Sequence, residues 1–147
     1  MNAYRRILIP VDGSPTSNKA LASGLQIAHE GDGRVRLVHV VDELAYLTGF
    51  EASALVFDEL QNAARRVLAE AEEIAKATGV PFESRFVDRP GARLGDVVAD
   101  EASKWNADLI VVGTHGRRGI SRVMLGSGAE QVIRLAPVPV LVIRGSE

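Results

Sequence analysis

The segment GTHGRRGISRVMLGSG, Gly113 to Gly128, carries five glycines and three arginines between an apolar run and an amphipathic stretch. No acidic residue occurs between Asp108 and Glu130. Glycine lets backbone amides approach a ligand closely, and successive amides facing one concavity form an anion nest. A helix beginning near Ser127 adds the positive end of its dipole. Arg117, Arg118 and Arg122 add guanidinium groups, whose planar fork matches phosphate, and Ser127 adds a hydroxyl donor. Each charge-assisted contact is worth about 1.5–3 kcal/mol, and micromolar affinity needs about 8 kcal/mol. A few such contacts therefore suffice for a phosphate-bearing ligand. The bland alternative is a surface loop with solvated arginines.

Two familiar phosphate loops are excluded by their residues. No lysine follows Gly126-Ser127-Gly128, so the segment is not a Walker A loop, and no GxGxxG follows the first apolar run. DGSPTS (12–17) is faintly similar to the serine-glycine loop of ATP pyrophosphatases but lacks its paired glycines. Asp12 is either a cap for the following turn or a ligand contact. Asp42, after the second apolar run, could touch a ribose. His115 has no serine, cysteine or carboxylate paired with it in the motif, so a solvated or phosphate-touching role is preferred to catalysis. His29 and His39 read as structural, and the acidic face at 70–73 as solvated. No catalytic residue is assigned.

The elements that must hold these residues follow from hydrophobic period. RRILIPVD (5–12), RVRLVHVVD (34–42), FESRFVD (82–88), ADLIVVGT (107–114) and PVPVLVIR (137–144) read as strands. The third alternates and suits a half-exposed edge; the fourth is the most apolar and suits the interior. Ser14 with Pro15 marks a helix start, with Leu21, Leu25 and Ala28 on one face and an end near Gly31. A loop is expected over 43–52. A long helix then places Leu60, Ala64, Val67, Leu68, Ala71, Ile74 and Ala75 inward and stops at Gly79 and Pro81. A third helix lines up Leu94, Val98, Ala102 and Trp105. A short fourth, over 127–136, turns Val132, Ile133 and Ala136 inward.

Alternating strands and helices imply an α/β fold: a single doubly wound domain whose five-stranded parallel sheet is covered by helices on both faces. Right-handed crossovers favour the strand order 3-2-1-4-5. The order reverses between strands 1 and 4, and ligands of such sheets bind beyond the carboxyl ends there. Asp12 ends one of these strands and Gly113 the other, so the glycine-arginine segment belongs at that crevice.

The bulk numbers agree with one such domain. The chain has 147 residues, 46% of them hydrophobic and 24% charged, with a formal net charge of −2 and no cysteine. That length suits one domain able to bury roughly 70% of its unfolded surface. The charge argues against a general nucleic-acid or membrane-surface binder. Lack of cysteine removes disulfides, thiol catalysis and thiolate metal sites. Ile7 to Val11 is too short an apolar run for a signal core or a span, so a cytoplasmic protein is expected. No internal repeat or linker is evident.

Gly113-x2-Gly116-x9-Gly126-Ser127 resembles the G-2x-G-9x-G-(S/T) pattern of the nucleotide-binding branch of the universal stress protein family. ILIPVDGS resembles the first strand of that family, and the last 32 residues of the sheet-forming chain, from Gly113 to Arg144, resemble its C-terminal signature. The resemblance extends over essentially the whole chain, 1–147. It implies a domain that binds ATP or a related adenine nucleotide, with Mg2+ or Mn2+ accompanying the triphosphate. By the same resemblance Asp12 would contact the adenosine portion, Pro10, Val11 and the Val40 region would line the adenine pocket, and Val112 at the end of the fourth strand is a further nucleotide-binding candidate. Gly113, His115, Gly116 and Arg117 would approach ribose and phosphates. Gly126, Ser127, Gly128 and Ala129 would hold phosphate at the helix start. Gly128 departs from the larger residue often found after the serine.

The last strand is an apolar edge, which is an aggregation hazard unless covered. Self-pairing across a twofold axis would cover it, and the resemblance implies a homodimer through 138–144; burial under the fourth helix is the alternative. Three functions stay open: a nucleotide-dependent stress-response or signalling module with at most slow hydrolysis, an ATP-pyrophosphatase or adenylyl-transfer enzyme using the 12–17 loop, and a nucleotide-free interaction module.

Overall fold

A computed structural model describes residues 4–41, 54–89, 91–114 and 125–145. Within them the chain runs β1 (Arg6–Pro10), α1 (Pro15–Gly31), β2 (Arg34–Val40), α2 (Ala54–Thr78), β3 (Phe82–Val87), α3 (Leu94–Trp105), β4 (Leu109–Gly113), α4 (Ser127–Leu135) and β5 (Val140–Ile143). All strand pairs are parallel, and the sheet order is β3-β2-β1-β4-β5. This is the doubly wound α/β domain expected from the alternation of periods.

Side chains alternate across the pleat. Ile7, Ile9, Val11 and Leu37 pack with Leu21 and Leu25 of α1 and Leu68, Ala71 and Ala75 of α2. Leu8, Val38, Ile110 and Val112 pack with Val97, Val98 and Trp105 of α3 and Val132 of α4. Thus α1 and α2 cover one face and α3 and α4 the other. β1, at the centre of the sheet, has Ile7, Leu8 and Ile9 fully buried. β3 alternates between half-buried and exposed positions up to Val87, as an edge strand must.

Helix starts obey local rules. Ser14 caps α1, its side chain accepting from the Ser17 amide, with Pro15 in the first turn. α1 ends at Gly31; Asp32, at φ +58°, turns its amide back to the carbonyls of Ala28 and His29. Two inward assignments are corrected. Ile74 is exposed because the buried stripe of α2 runs through Ala64, Leu68, Ala71 and Ala75, and Ile74 lies off it. Ile133 is also exposed, since the turn that buries Ala129 and Val132 against the sheet points its neighbour outward. β5 is shorter than the apolar run suggests: Pro137 and Pro139 precede the paired residues, which start at Val140. The expected loop at 43–52 lies outside the described residues.

Charged groups pin α3 to the sheet. Glu101 is 2% exposed, and its carboxylate meets Arg36 at 3.3 Å and Arg85 at 3.0 Å. Arg36 also pairs with Glu83 at 2.5 Å. The Arg36 hydrogen bond holds the Glu83 carboxyl below the usual carboxylate range; burial opposes it, and the Arg36 charge adds to the lowering. The guanidinium of Arg6 lies 4.3 Å from the centre of the Trp105 ring and donates to the Trp105 carbonyl at 2.7 Å.

Candidate functional site at the sheet reversal

The carboxyl ends of β1 and β4 lie side by side, since β4 pairs with β1 through Ile7↔Leu109 and Leu8↔Ile110. α1 leaves β1 toward one face of the sheet and α4 covers the other, so the two helix starts diverge here, the arrangement in which such sheets form a binding crevice.

On the β1 side, the chain passes from Val11 through a tight turn into α1. Asp12 Oδ1 accepts from the Ser14 amide at 2.9 Å, an Asx turn. The Asp12 amide donates to Ser17 Oγ at 3.0 Å, and the Ser17 amide donates to Ser14 Oγ at 3.1 Å. Gly13 takes φ +82°, a conformation a side chain would resist. Asp12 therefore does cap the turn, and this bond also fixes its half-buried carboxylate at the mouth of the crevice.

Beneath it, the Val11 amide donates to the Val38 carbonyl at 2.8 Å. The Val11 carbonyl accepts from His39 Nδ1 at 2.7 Å. A carbonyl only accepts, so this ring nitrogen carries the proton. His39 is buried and structural, as expected, but its contact is with the candidate site.

On the β4 side, Gly113 packs against the start of α1: a β-carbon on it would lie 2.5 Å from Thr16 Cγ2. Its small size thus serves helix–sheet packing, a cause the sequence reading did not include. The Thr114 amide donates to the Ile143 carbonyl at 2.9 Å, and the Thr114 carbonyl accepts from the Gly126 amide at 2.6 Å. That second bond moors the start of α4 to the end of β4. Gly126 is the N-cap, with extended backbone and no side chain to cap the helix. The Glu130 amide closes the first turn on the Gly126 carbonyl at 2.9 Å. The amides of Ser127, Gly128 and Ala129 are then the first-turn donors, aimed along the axis toward the helix start. A β-carbon on Gly128 would lie 2.8 Å from Leu94 Cδ2 of α3, the flexible end of that side chain. Ser127 is exposed.

Of the apolar residues assigned to the crevice, Val40 and Val112 lie on the α3–α4 face with Leu8, and Pro10 shares that face by alternation. Val112 is enclosed in the core, and the Val11 side chain points to the opposite face, so Val11 meets the crevice through its backbone. His115, Gly116, Arg117, Arg118 and Arg122, together with Asp42, lie outside the described residues. Among the described residues no group of three His, Cys, Asp or Glu side chains could hold a metal ion. Nor is any described helix long and apolar enough to cross a membrane.

Sequence reasoning missed Thr114, whose peptide ties β5, β4 and α4 together, and Thr16, which sets the size limit on Gly113. It also missed what His39 does. His39 is the one polar residue of the run LVHVV, but its place beside Val11 follows from the β1–β2 register and not from either strand alone.

Comparison with known proteins agrees with this geometry. The profile of the Universal stress protein family matches residues 3–144. A universal stress protein of Methanocaldococcus jannaschii is 36% identical over 146 residues, covering 97% of this chain and 84% of the relative. A universal stress protein solved in complex with cAMP is 28% identical, covers 99% of this chain and 100% of its own, and superposes with a TM-score of 0.71. The universal stress protein from Archaeoglobus fulgidus in complex with dAMP is 25% identical, with coverages of 97% and 99% and a TM-score of 0.72. The profile over residues 3–144 and the relatives that match along nearly the whole chain place it: the chain belongs to the universal stress protein family.

Proposed function

We propose that this chain binds ATP or a related adenine nucleotide at the sheet reversal and acts in the cytoplasm as a nucleotide-dependent stress-response or signalling module. The observation that carries this reading is the start of α4. A glycine N-cap leaves the amides of Ser127, Gly128 and Ala129 without a side-chain cap, and the Gly126–Thr114 bond holds them at the carboxyl end of β4. Phosphate oxygens match such donors in charge and direction. The G-2x-G-9x-G-S spacing of the nucleotide-binding branch, and relatives solved with cAMP and dAMP, support the same ligand class.

In this reading the Asp12 carboxylate accepts from the ribose hydroxyls, and Pro10, the Val11 backbone and Val40 flank the adenine. Gly113, His115, Gly116 and Arg117 complete the approach to ribose and phosphates. A Mg2+ or Mn2+ ion fits as a companion held by phosphate oxygens and water, as magnesium commonly is with nucleotides. It would neutralise charge on the triphosphate. Turnover is slow at most, and occupancy is the signal. β5 is the sheet edge in the single chain, with Leu141 exposed, and two copies pair through 138–144.

Mass spectrometry of small molecules released by denaturing freshly purified protein tests the reading. An adenine nucleotide is expected from the wild type, with much less from Ser127→Ala. A folded wild type that releases none and binds none at millimolar concentration contradicts it.

A further inference from the structure

The pairing of β1 with β2 stops at Pro10↔Val38. One step further would set Val11 beside His39, and in a parallel ladder a strand amide would then serve the Val11 carbonyl. The imidazole of His39 takes that place, donating from Nδ1 at 2.7 Å. Both residues are buried, at 4% and 7% exposure, so the carbonyl has little access to water. The same peptide carries the Asp12 amide, which donates to Ser17 Oγ, and the Asp12 carboxylate just beyond it accepts from the Ser14 amide.

We infer that His39 is the positioning residue of the nucleoside end of the site: its Nδ1–H fixes the Val11–Asp12 peptide where β1 leaves the ladder, and so sets where the Asp12 carboxylate points. The inference rests on the nucleotide reading above and deepens it. Two features of the structure support it. The bond comes from a side chain in place of the ladder, so it holds the peptide while the strands part to make the crevice. The ring itself is braced, with Phe86 of β3 at 6.4 Å between centroids, and Phe86 lies in turn under the guanidinium of Arg65 at 4.5 Å. β1, β2, β3 and α2 therefore all bear on one hydrogen bond beneath Asp12.

Two substitutions separate this role from general packing. His39→Asn keeps an amide donor near the position of Nδ1, whereas His39→Leu keeps the bulk and removes the donor. Titration of each full-length variant with ATP, well below its melting temperature, reads the effect. His39→Leu is expected to bind about tenfold more weakly, the equivalent of one hydrogen bond, and His39→Asn within about threefold of wild type. In a double-mutant cycle the loss from His39→Leu shrinks once Asp12→Asn has already been made, because both act at one contact. If the wild type binds ATP and both His39 variants bind as well as it does, or the two lose affinity equally, or the cycle is additive, the inference falls and the nucleotide reading stands. If the wild type binds no nucleotide, both fall.

Discussion

Gly113 and Thr16 are in contact so close that a β-carbon on Gly113 would sit 2.5 Å from Thr16 Cγ2. The glycine that opens the G-2x-G-9x-G-S spacing is thus also the residue that lets α1 lie against β4.

Gly113→Ala should therefore lower stability, by about 1–3 kcal/mol for an overpacked core position. Thr16→Ser removes the offending methyl and should recover part of the loss; the Thr16 backbone carbon, 3.2 Å away, remains. Urea denaturation of the four combinations measures this. A fully stable Gly113→Ala variant would mean the glycine is kept for the ligand alone.

Ser127→Ala should behave in the opposite way. The side chain is exposed and the cap position belongs to Gly126, so stability should change by less than about 0.5 kcal/mol. ATP affinity should fall by about tenfold if the hydroxyl donates to phosphate. Calorimetric titration next to thermal melting separates the two effects.

The buried carboxylate of Glu101 faces Arg36 and Arg85. Glu101→Ala removes the buried one of the two carboxylates that face Arg36, leaving only the more exposed Glu83, and should cost about 3 kcal/mol. Replacing both partners, Glu101→Leu with Arg36→Met, should recover much of that loss. Equal destabilisation by the single and double changes would show that the pair matters through its charge rather than through the fit of its side chains.

Acid stability should carry a contribution from Glu83. Its folded-state pKa is lowered, chiefly by the Arg36 hydrogen bond. A carboxyl with a depressed pKa adds stability that is complete above its unfolded value and fades as pH falls through its folded one. Glu83→Gln should thus leave a shallower loss of stability below the ordinary carboxylate range, measured as melting temperature against pH. An unchanged acid limb would place the pair's effect elsewhere.

Leu141, exposed on the edge strand, should matter to assembly. Leu141→Lys places a charge on an apolar edge, a device that blocks strand pairing. The wild type should sediment as a dimer and the variant as a monomer of similar stability. A wild-type monomer at high concentration would remove the proposed interface.

The fold was legible because its signals were local and redundant. Five apolar runs, the Ser14–Pro15 start and the stop near Gly31 each spoke for the same alternation, and handedness then left few layouts. The ends of β1 and β4 located the crevice for the same reason. What could not be read were contacts set by tertiary approach. Nothing near Gly113 in the chain announces Thr16, and nothing near Gly128 announces Leu94. Ile74 and Ile133 misled because a helical stripe is narrower than the set of apolar residues near it. His39 was seen as structural, yet its partner is fixed by strand register, which no single strand contains.

The most direct test of the central claim is an amide-resolved NMR titration of the wild type with ATP. Saturable shifts at Ser127, Gly128 and Ala129, together with Asp12, are expected if the start of α4, which has no side-chain cap, and the turn after β1 hold one nucleotide as proposed. Saturable binding that leaves those four amides unmoved, or no binding at all, would contradict the account.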